Sequence, residues 1–318
     1  MSYLDWKIEE DNINIREGAI NLRSKVAENL YYHSLKDEKS TLQFVSFGRN
    51  YWRWQTLLKS ELIFNKKIGG NIIEIGAGTG WCSALLSKNS SSERIYVLDY
   101  DQYSVEVLMP LVFKNLNADI TKLTPVLGSY NNMKCPDASI DYIISIGAIH
   151  HSENLLATFK EAYRALKPGG ILLASEHCHP NSYTIDEMNS DNDKLIDSST
   201  AKKMYGVEKN IKAKDNSDHN YRICEFEAFA YHCGFDVMPY IFDINGEQAD
   251  DSIFYKPVPY SDYSNKIYFP YFAKNKQEAI FDNLFLVLQK PIQGNTGQQF
   301  RHSNKKVKNR NTWRKWFN

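Results

Sequence analysis

Two groups of residues in this chain have the types and spacing to do chemistry. The first is the run Ile72-Ile73-Glu74-Ile75-Gly76-Ala77-Gly78-Thr79-Gly80, where an Ile-rich stretch leads into three alternate glycines. Glycines suit a tight turn at which a ligand must approach the backbone with no Cβ in the way. A helix starting just after such a turn offers unpaired N–H groups to that ligand. The dinucleotide fingerprint G-x-G-x-x-G would need a third glycine where this chain has Trp81, so the spacing here is G-x-G-x-G with Glu74 two residues ahead. The second group is His150 and His151, then Glu176, His177 and His179, with His219 and Tyr221 farther on. Imidazoles titrate near neutrality and move protons, or they simply form a polar wall; the residues alone leave both readings open. Adjacent residues at a strand end alternate faces, so Glu176 to His179 are not expected to converge on a metal ion.

These residues need a frame that carries them to one rim. From Gly70 onward, short apolar runs alternate with amphipathic ones. Strands are expected at 71–75, 94–98, 123–127, 142–146 and 171–174, with helices from the glycine loop to about Ser87, over about 102–115 and over 153–166. Pro110 kinks or breaks the second helix, and Gly169-Gly170 breaks the chain before the fifth strand. This alternation predicts an α/β fold with a mostly parallel sheet covered by helices on both faces. Ligands of such sheets bind beyond the carboxyl ends of the strands, where the glycine loop and both histidine clusters fall.

Before the sheet, residues 1–65 read as helical, with helices over 15–32 and 51–64 and a charged turn at 36–40. The sheet domain is expected over 66–292. It carries a polar insertion at about 180–222 with one helix over 185–205, and a second at about 244–281 that is dense in aromatics from 250 to 272. A helix at 225–232 and a strand at 235–238, which Pro239 ends or places near an edge, resume the core pattern, and a strand at 284–288 closes it.

The glycine block resembles motif I of the class I S-adenosylmethionine-dependent methyltransferases, and the blocks that follow resemble theirs in order. Val97-Leu98-Asp99-Tyr100 ends the second strand, Gly128-Ser129-Tyr130 follows the third, and the stretch from Asp137 to Ser145 forms the fourth. Ile149-His150-His151, then Arg164 to Gly170, then Cys233-Gly234-Phe235 complete the set, which is similar to the small-molecule, type 11 branch. The resemblance implies a Rossmann-like, doubly wound, seven-stranded sheet with N-terminal helices as a lid and an inserted substrate cover. It implies S-adenosylmethionine held by Glu74, Gly76, Ala77, Gly78, Gly80, Asp99, Tyr100, Ser129, Tyr130 and Ser145, with Asp99 accepting from two ribose hydroxyls. Where relatives carry Asp beside the adenine, this chain carries Ser129. His150, His151 and His177 are the candidate catalytic residues, and Glu176, His219 and Tyr221 the candidate substrate contacts. The expected acceptor is a small-molecule or glycan-like compound, methylated at oxygen.

Charge separates the chain into two parts. Lys plus Arg and Asp plus Glu both number 38, but residues 293–318 hold seven of the basic residues and no acidic one. An acidic body argues against a nucleic-acid methyltransferase. So does Gly147-Ala148-Ile149-His150-His151 after the fourth strand, in place of the Pro-rich turn of base-modifying relatives. A non-catalytic cofactor-binding scaffold is the other alternative. The basic tail, with Trp313, Trp316 and Phe317, reads as a mobile terminus or a weak membrane-surface contact. Five scattered cysteines, no Cys-x-x-Cys and an acidic start without an apolar core point to a cytoplasmic setting.

Overall fold

A computed structural model of the chain describes residues 1–7, 24–46, 48–64, 66–152, 154–179, 183–205, 208–212, 219, 221–241, 258–259 and 281–292. The aromatic stretch at 250–272, apart from Val258–Pro259, the basic tail and residues 15–23 of the expected first helix lie outside the described residues. Among the described residues, no helix is long and apolar enough to cross a membrane.

One sheet organises the molecule. Its strands are β1 (Leu4–Asp5), β2 (Gly70–Ile75), β3 (Ser92–Asp99), β4 (Leu123–Leu127), β5 (Ile140–Ile146), β6 (Leu166–Cys178), β9 (Asp236–Ile241), β10 (Val258–Pro259) and β11 (Phe281–Gln289). They lie in the order β1-β4-β3-β2-β5-β6-β11-β9-β10. Pairing is parallel from β1 to β6 and antiparallel from β6 through β11 and β9 to β10. The seven expected strands form the body of this sheet, and the two-residue segments β1 and β10 cap its edges. The chain runs outward through β2, β3 and β4, then returns to β5 and β6 on the other side. The crevice between the carboxyl ends of β2 and β5 is therefore the switch point at which such sheets bind ligands.

Period-two alternation assigns each strand residue to a face. Ile73 and Ile75 enter one core with Val126, Ile143, Phe159 and Phe226. Ile72 enters the other with Trp54, Val97, Phe113, Tyr142 and Phe285. Helices α1 (Glu38–Ser46), α2 (Gly48–Phe64), α3 (Trp81–Ser87) and α4 (Met109–Asn115) contribute to the second core. Helices α5 (Leu155–Ala165) and α8 (Ile223–His232) cover the first.

Several expectations change. The charged turn at 36–40 is the start of α1, because the Asp37 carboxylate and the Ser40 amide close a cap at 2.8 Å. Pro110 does not end its helix: a π-helical turn, Ser104–Leu108, runs directly into α4, and the proline falls where the helix changes type. Gly169-Gly170 does not break the chain before β6; the strand begins at Leu166, and a register shift between Ile140 and Tyr142 absorbs the extra residues. β9 continues through Pro239 and lies one strand in from the edge, the second of the two outcomes expected of that proline. The polar insertion holds two helices, α6 (Ile185–Asn192) and α7 (Ser198–Tyr205), instead of one. Asp197 caps the second by accepting from the Ser199 and Thr200 amides at 2.9 and 3.0 Å. Between them β7 (Leu195–Ile196) pairs with β8 (Ile211–Lys212).

The boundary at residue 65 is corrected as well, because residues 4–6 belong to the sheet. Leu4 and Asp5 pair with Val126 and Leu127, and the Trp6 amide donates to the Leu127 carbonyl at 2.8 Å. The Trp6 ring is 6% exposed and packs on Tyr96 at 5.5 Å between centroids. Trp6→Ala is expected to lower the unfolding free energy by about 3–5 kcal/mol, read from chemical denaturation. A loss within the range of a surface substitution would return these residues to a separate N-terminal unit.

Candidate functional site

The glycine loop turns directly from β2 into α3. Gly76, Gly78 and Gly80 all have left-handed φ, at 59°, 53° and 70°. At Gly76 a Cβ would also lie 2.3 Å from the Ala148 methyl, so the loop packs against the end of β5 only because residue 76 has none. At Gly78 a Cβ would meet nothing within 4 Å, so open space lies over the middle of the loop. Beside it, the Thr79 hydroxyl is buried and makes no hydrogen bond among the described residues. An open cradle beside an unsatisfied buried hydroxyl is what a ligand-binding loop leaves for its ligand.

Asp99 stands at the end of β3, half-buried. One carboxylate oxygen accepts from the Gly78 amide at 2.6 Å, the other from the Asp101 amide at 2.8 Å. With both oxygens engaged by loop amides, the carboxylate braces the glycine loop against the end of β3. Asp101, itself buried, takes the Ser24 hydroxyl and the Ser104 amide, which ties the N-terminal segment to the β3 side of the crevice. Tyr100 is half-buried next to Asp99. Ser129 and Tyr130 follow β4; the Ser129 hydroxyl accepts from the Asn131 amide at 3.1 Å, and the Tyr130 hydroxyl donates to the Ala148 carbonyl at 3.2 Å.

Two expected contact residues turn inward. Glu74 is 1% exposed, and its carboxyl group accepts from the amide (2.8 Å) and the hydroxyl of Ser83 on α3. It therefore acts on the loop by holding the helix that the loop starts. Burial pushes its pKa up to about 7, against the Ser83 hydrogen bonds, with Asp99 adding to the rise. Ser145 is also buried, and its hydroxyl donates to Glu176 at 2.5 Å.

Glu176, expected on the substrate, is instead the internal anchor of the rim. It is fully buried. It accepts from Ser145, from the Ala148 and Ile149 amides at 3.2 and 3.1 Å, from the His150 amide at 3.4 Å and from His150 Nδ1 at 2.7 Å. Burial would raise its pKa, but the His150 pair, the Ser145 hydroxyl and the Ile149 amide outweigh that and hold the carboxylate well below the usual range. His150 is 2% exposed, and the half-buried His151 ring lies 3.9 Å from it. The side chain of His177 lies outside the described residues.

The returning insertion is stitched to the same rim. The His219 amide donates to the His150 carbonyl at 3.2 Å, and the Tyr221 hydroxyl to the Ser152 carbonyl at 2.7 Å. His179 is bracketed by Tyr221 and Ile223 through backbone bonds of 2.8 and 3.0 Å, and its ring stacks on Tyr183 at 3.9 Å. Among the described residues, no group of three or more His, Cys, Asp or Glu is arranged to hold a metal.

Arg53 on α2 falls in the N-terminal helices expected as a lid, but sequence reasoning gave it no contact of its own. Its guanidinium nitrogens lie 3.1 and 3.2 Å from the point a Cβ on Gly147 would occupy, so it sits against the end of β5. The signal available was a lone arginine between Trp52 and Trp54 in an otherwise amphipathic helix.

Comparison with known proteins agrees with this geometry. Residues 73–174 match the family described as a methyltransferase domain. The chain is 26% identical over 135 residues to a protein of Mycolicibacterium smegmatis named a probable S-adenosylmethionine-dependent methyltransferase, which is 42% of this chain and 48% of that one. It is 27% identical over 170 residues to the sterol 24-C-methyltransferase of Pneumocystis carinii, 54% of this chain and 41% of that one. The chain thus spans less than half the length of these two relatives. A solved structure of phosphoethanolamine N-methyltransferase 2 from Haemonchus contortus, in complex with S-adenosyl-L-methionine, aligns with a TM-score of 0.50 at 15% identity, covering 83% of this chain and 60% of that one. That likeness is one of fold.

The two buried carboxyl groups give separate expected outcomes. Between pH 4.5 and about 7 the folded chain keeps the Glu74 proton that the unfolded chain has released, so stability falls as pH rises through this window, by about 3 kcal/mol in all. Glu74→Gln is expected to flatten that slope in denaturation measured at pH 5 and pH 8. Glu176→Ala leaves its donors facing a void, and a loss of about 3–5 kcal/mol is expected at neutral pH; a thermally unaltered variant would refute the anchor.

Proposed function

With residues 73–174 a class I S-adenosylmethionine-dependent methyltransferase domain, we propose that the chain moves a methyl group from that cofactor to an oxygen of a small-molecule or glycan-like acceptor. The observation that carries this reading is the open cradle over Gly78, flanked by the Thr79 hydroxyl and the Asp99 carboxylate. Gly76 to Gly80 would hold the cofactor through their backbone, Asp99 through its ribose, and Tyr100, Ser129 and Tyr130 along its base. Bound there, S-adenosylmethionine supplies a methyl group already activated by a positive sulfur. The chain has to align the acceptor, exclude water and take up a proton.

The histidine pair supports an acceptor that releases a proton. With Glu176 ionised, His150 Nδ1 carries its hydrogen toward the carboxylate, and the imidazole is fixed in one tautomer. His151, whose ring is tilted at 44° to that of His150, is the partly exposed member of the pair and the one placed to meet an acceptor. A base so placed contributes about 10²–10⁴ in rate when the acceptor is a hydroxyl. The insertion that carries His219 and Tyr221 closes the acceptor side. The sterol relative is named for methylation at carbon, so the choice of oxygen rests on this histidine pair. The acidic body favours no nucleic-acid partner, and the reading places the enzyme in the cytoplasm.

Titration calorimetry with S-adenosylmethionine tests the proposal. Binding is expected in the wild type, and Asp99→Ala is expected to weaken it about 10- to 100-fold through the lost charged hydrogen bonds. A folded wild-type chain that takes up no cofactor sinks the reading.

A further inference from the structure

We propose that the apolar contact of Val26 with Ala201 and Ile211 is a latch, and that it must part for molecules to enter and leave the crevice. What occupies the crevice rests on the methyltransferase reading above. The latch residues all lie outside the family-matched segment, 73–174.

Two anchors at the carboxyl rim of the sheet define the parts that the latch joins. On the β3 side, the Ser24 hydroxyl donates to Asp101, just past the strand, and a π-helical turn, Ala27–Tyr31, packs beside the turn Ser104–Leu108. On the β5–β6 side, the polar insertion leaves and returns. Its stem is the backbone of His179, bonded to Tyr221 and Ile223 at 2.8 and 3.0 Å, and the His219 amide donates to the His150 carbonyl at 3.2 Å. Between the two anchors lie β2 and its glycine loop. β3 and β5 are two strand spacings apart, about 10 Å. The far part of the insertion nevertheless reaches the N-terminal segment: Val26 packs against the pair formed by Ala201 of α7 and Ile211 of β8. The joined segments therefore pass over the crevice as one bridge.

The joints of that bridge differ in strength. The stem is held by backbone hydrogen bonds and by the His179 ring stacked on Tyr183. The latch is small. Ala201 and Ile211 form a cluster apart from both main cores, with Val26 and Ile196 partly buried against it. Among the described residues from 185 to 212, these two are the buried side chains, and α6 buries none. One of the two is an alanine, so little apolar area leaves water there. A contact of this size opens locally at far lower cost than the sheet unfolds. Parting it leaves both anchors intact: Ser24 stays with Asp101, and the insertion swings from its stem beside His179. The weakest joint thus stands between the two sides of the crevice, where a gate has to be.

Stopped-flow binding of S-adenosylhomocysteine to the full chain tests the gate. Val26→Ala and Ile211→Ala are each expected to raise the association and dissociation rate constants by the same factor, about 3- to 30-fold, with Kd nearly unchanged. Because both residues serve one contact, the double variant is expected to gain less than the product of the two factors. A rise in dissociation alone would make the seam a wall of the binding site and overturn the gate. Unchanged rates, or factors that multiply in full, would overturn it too. Hydrogen exchange followed by mass spectrometry tests the latch with no ligand present. Val26→Ala is expected to speed exchange across the seam, over 198–205, and unaltered exchange there refutes the contact. A wild type that takes up no S-adenosylhomocysteine overturns the methyltransferase reading, and exchange alone then decides the latch.

Discussion

A carboxylate taken wholly out of water must be surrounded by donors or it does not stay ionised, and the loop after β5 is shaped by that requirement at Glu176. Three successive amides, those of Ala148, Ile149 and His150, turn toward one side chain. A run of amides curled in this way is an anion-binding concavity, usually filled by a ligand. Here the chain fills it from the next strand. The turn that carries both histidines is thus folded around an internal charge, and the Ala148 methyl that touches Gly76 is placed by the same bonds. The glycine loop and the histidine rim share one support.

Glu74 solves the same burial problem in the opposite way. Among the described residues Ser83 is its hydrogen-bond partner, and Asp99 lies near enough to raise its pKa further. Desolvation therefore wins, and the group holds its proton to near neutrality. Two glutamates at the ends of nearby strands, both almost without exposure, differ in charge because one has five donors and the other two.

Much of this architecture was legible beforehand. The seven main strands are continuous apolar runs buried on both faces, a pattern that depends on few neighbours. The glycine loop is legible because its backbone needs those residues locally. What stayed hidden depends on partners distant in sequence. β1 has two exposed residues and no periodicity, and only Trp6 against Tyr96 reveals it. α1 buries only Thr41 and Val45, so its charged first turn reads as a loop. Glu176 reads as a rim carboxylate until the fold wraps the 148–150 amides around it. Arg53 lies some ninety residues from the glycine it touches, and no spacing rule reaches so far.

The antiparallel pairing of β11 bears on how the sheet is made. β11 inserts between β6 and β9, so the β6–β9 side of the sheet stays open until residues 281–289 have left the ribosome. Until then β6, thirteen residues long and apolar over Ile171–Ala174, presents an unpaired edge. Pairing it requires closing a loop of about a hundred residues, which is a slow step in folding. During synthesis, therefore, the hazard lies at β6: the nascent chain exposes a sticky strand for as long as that loop takes to emerge, and chaperone occupancy or misassembly would concentrate there.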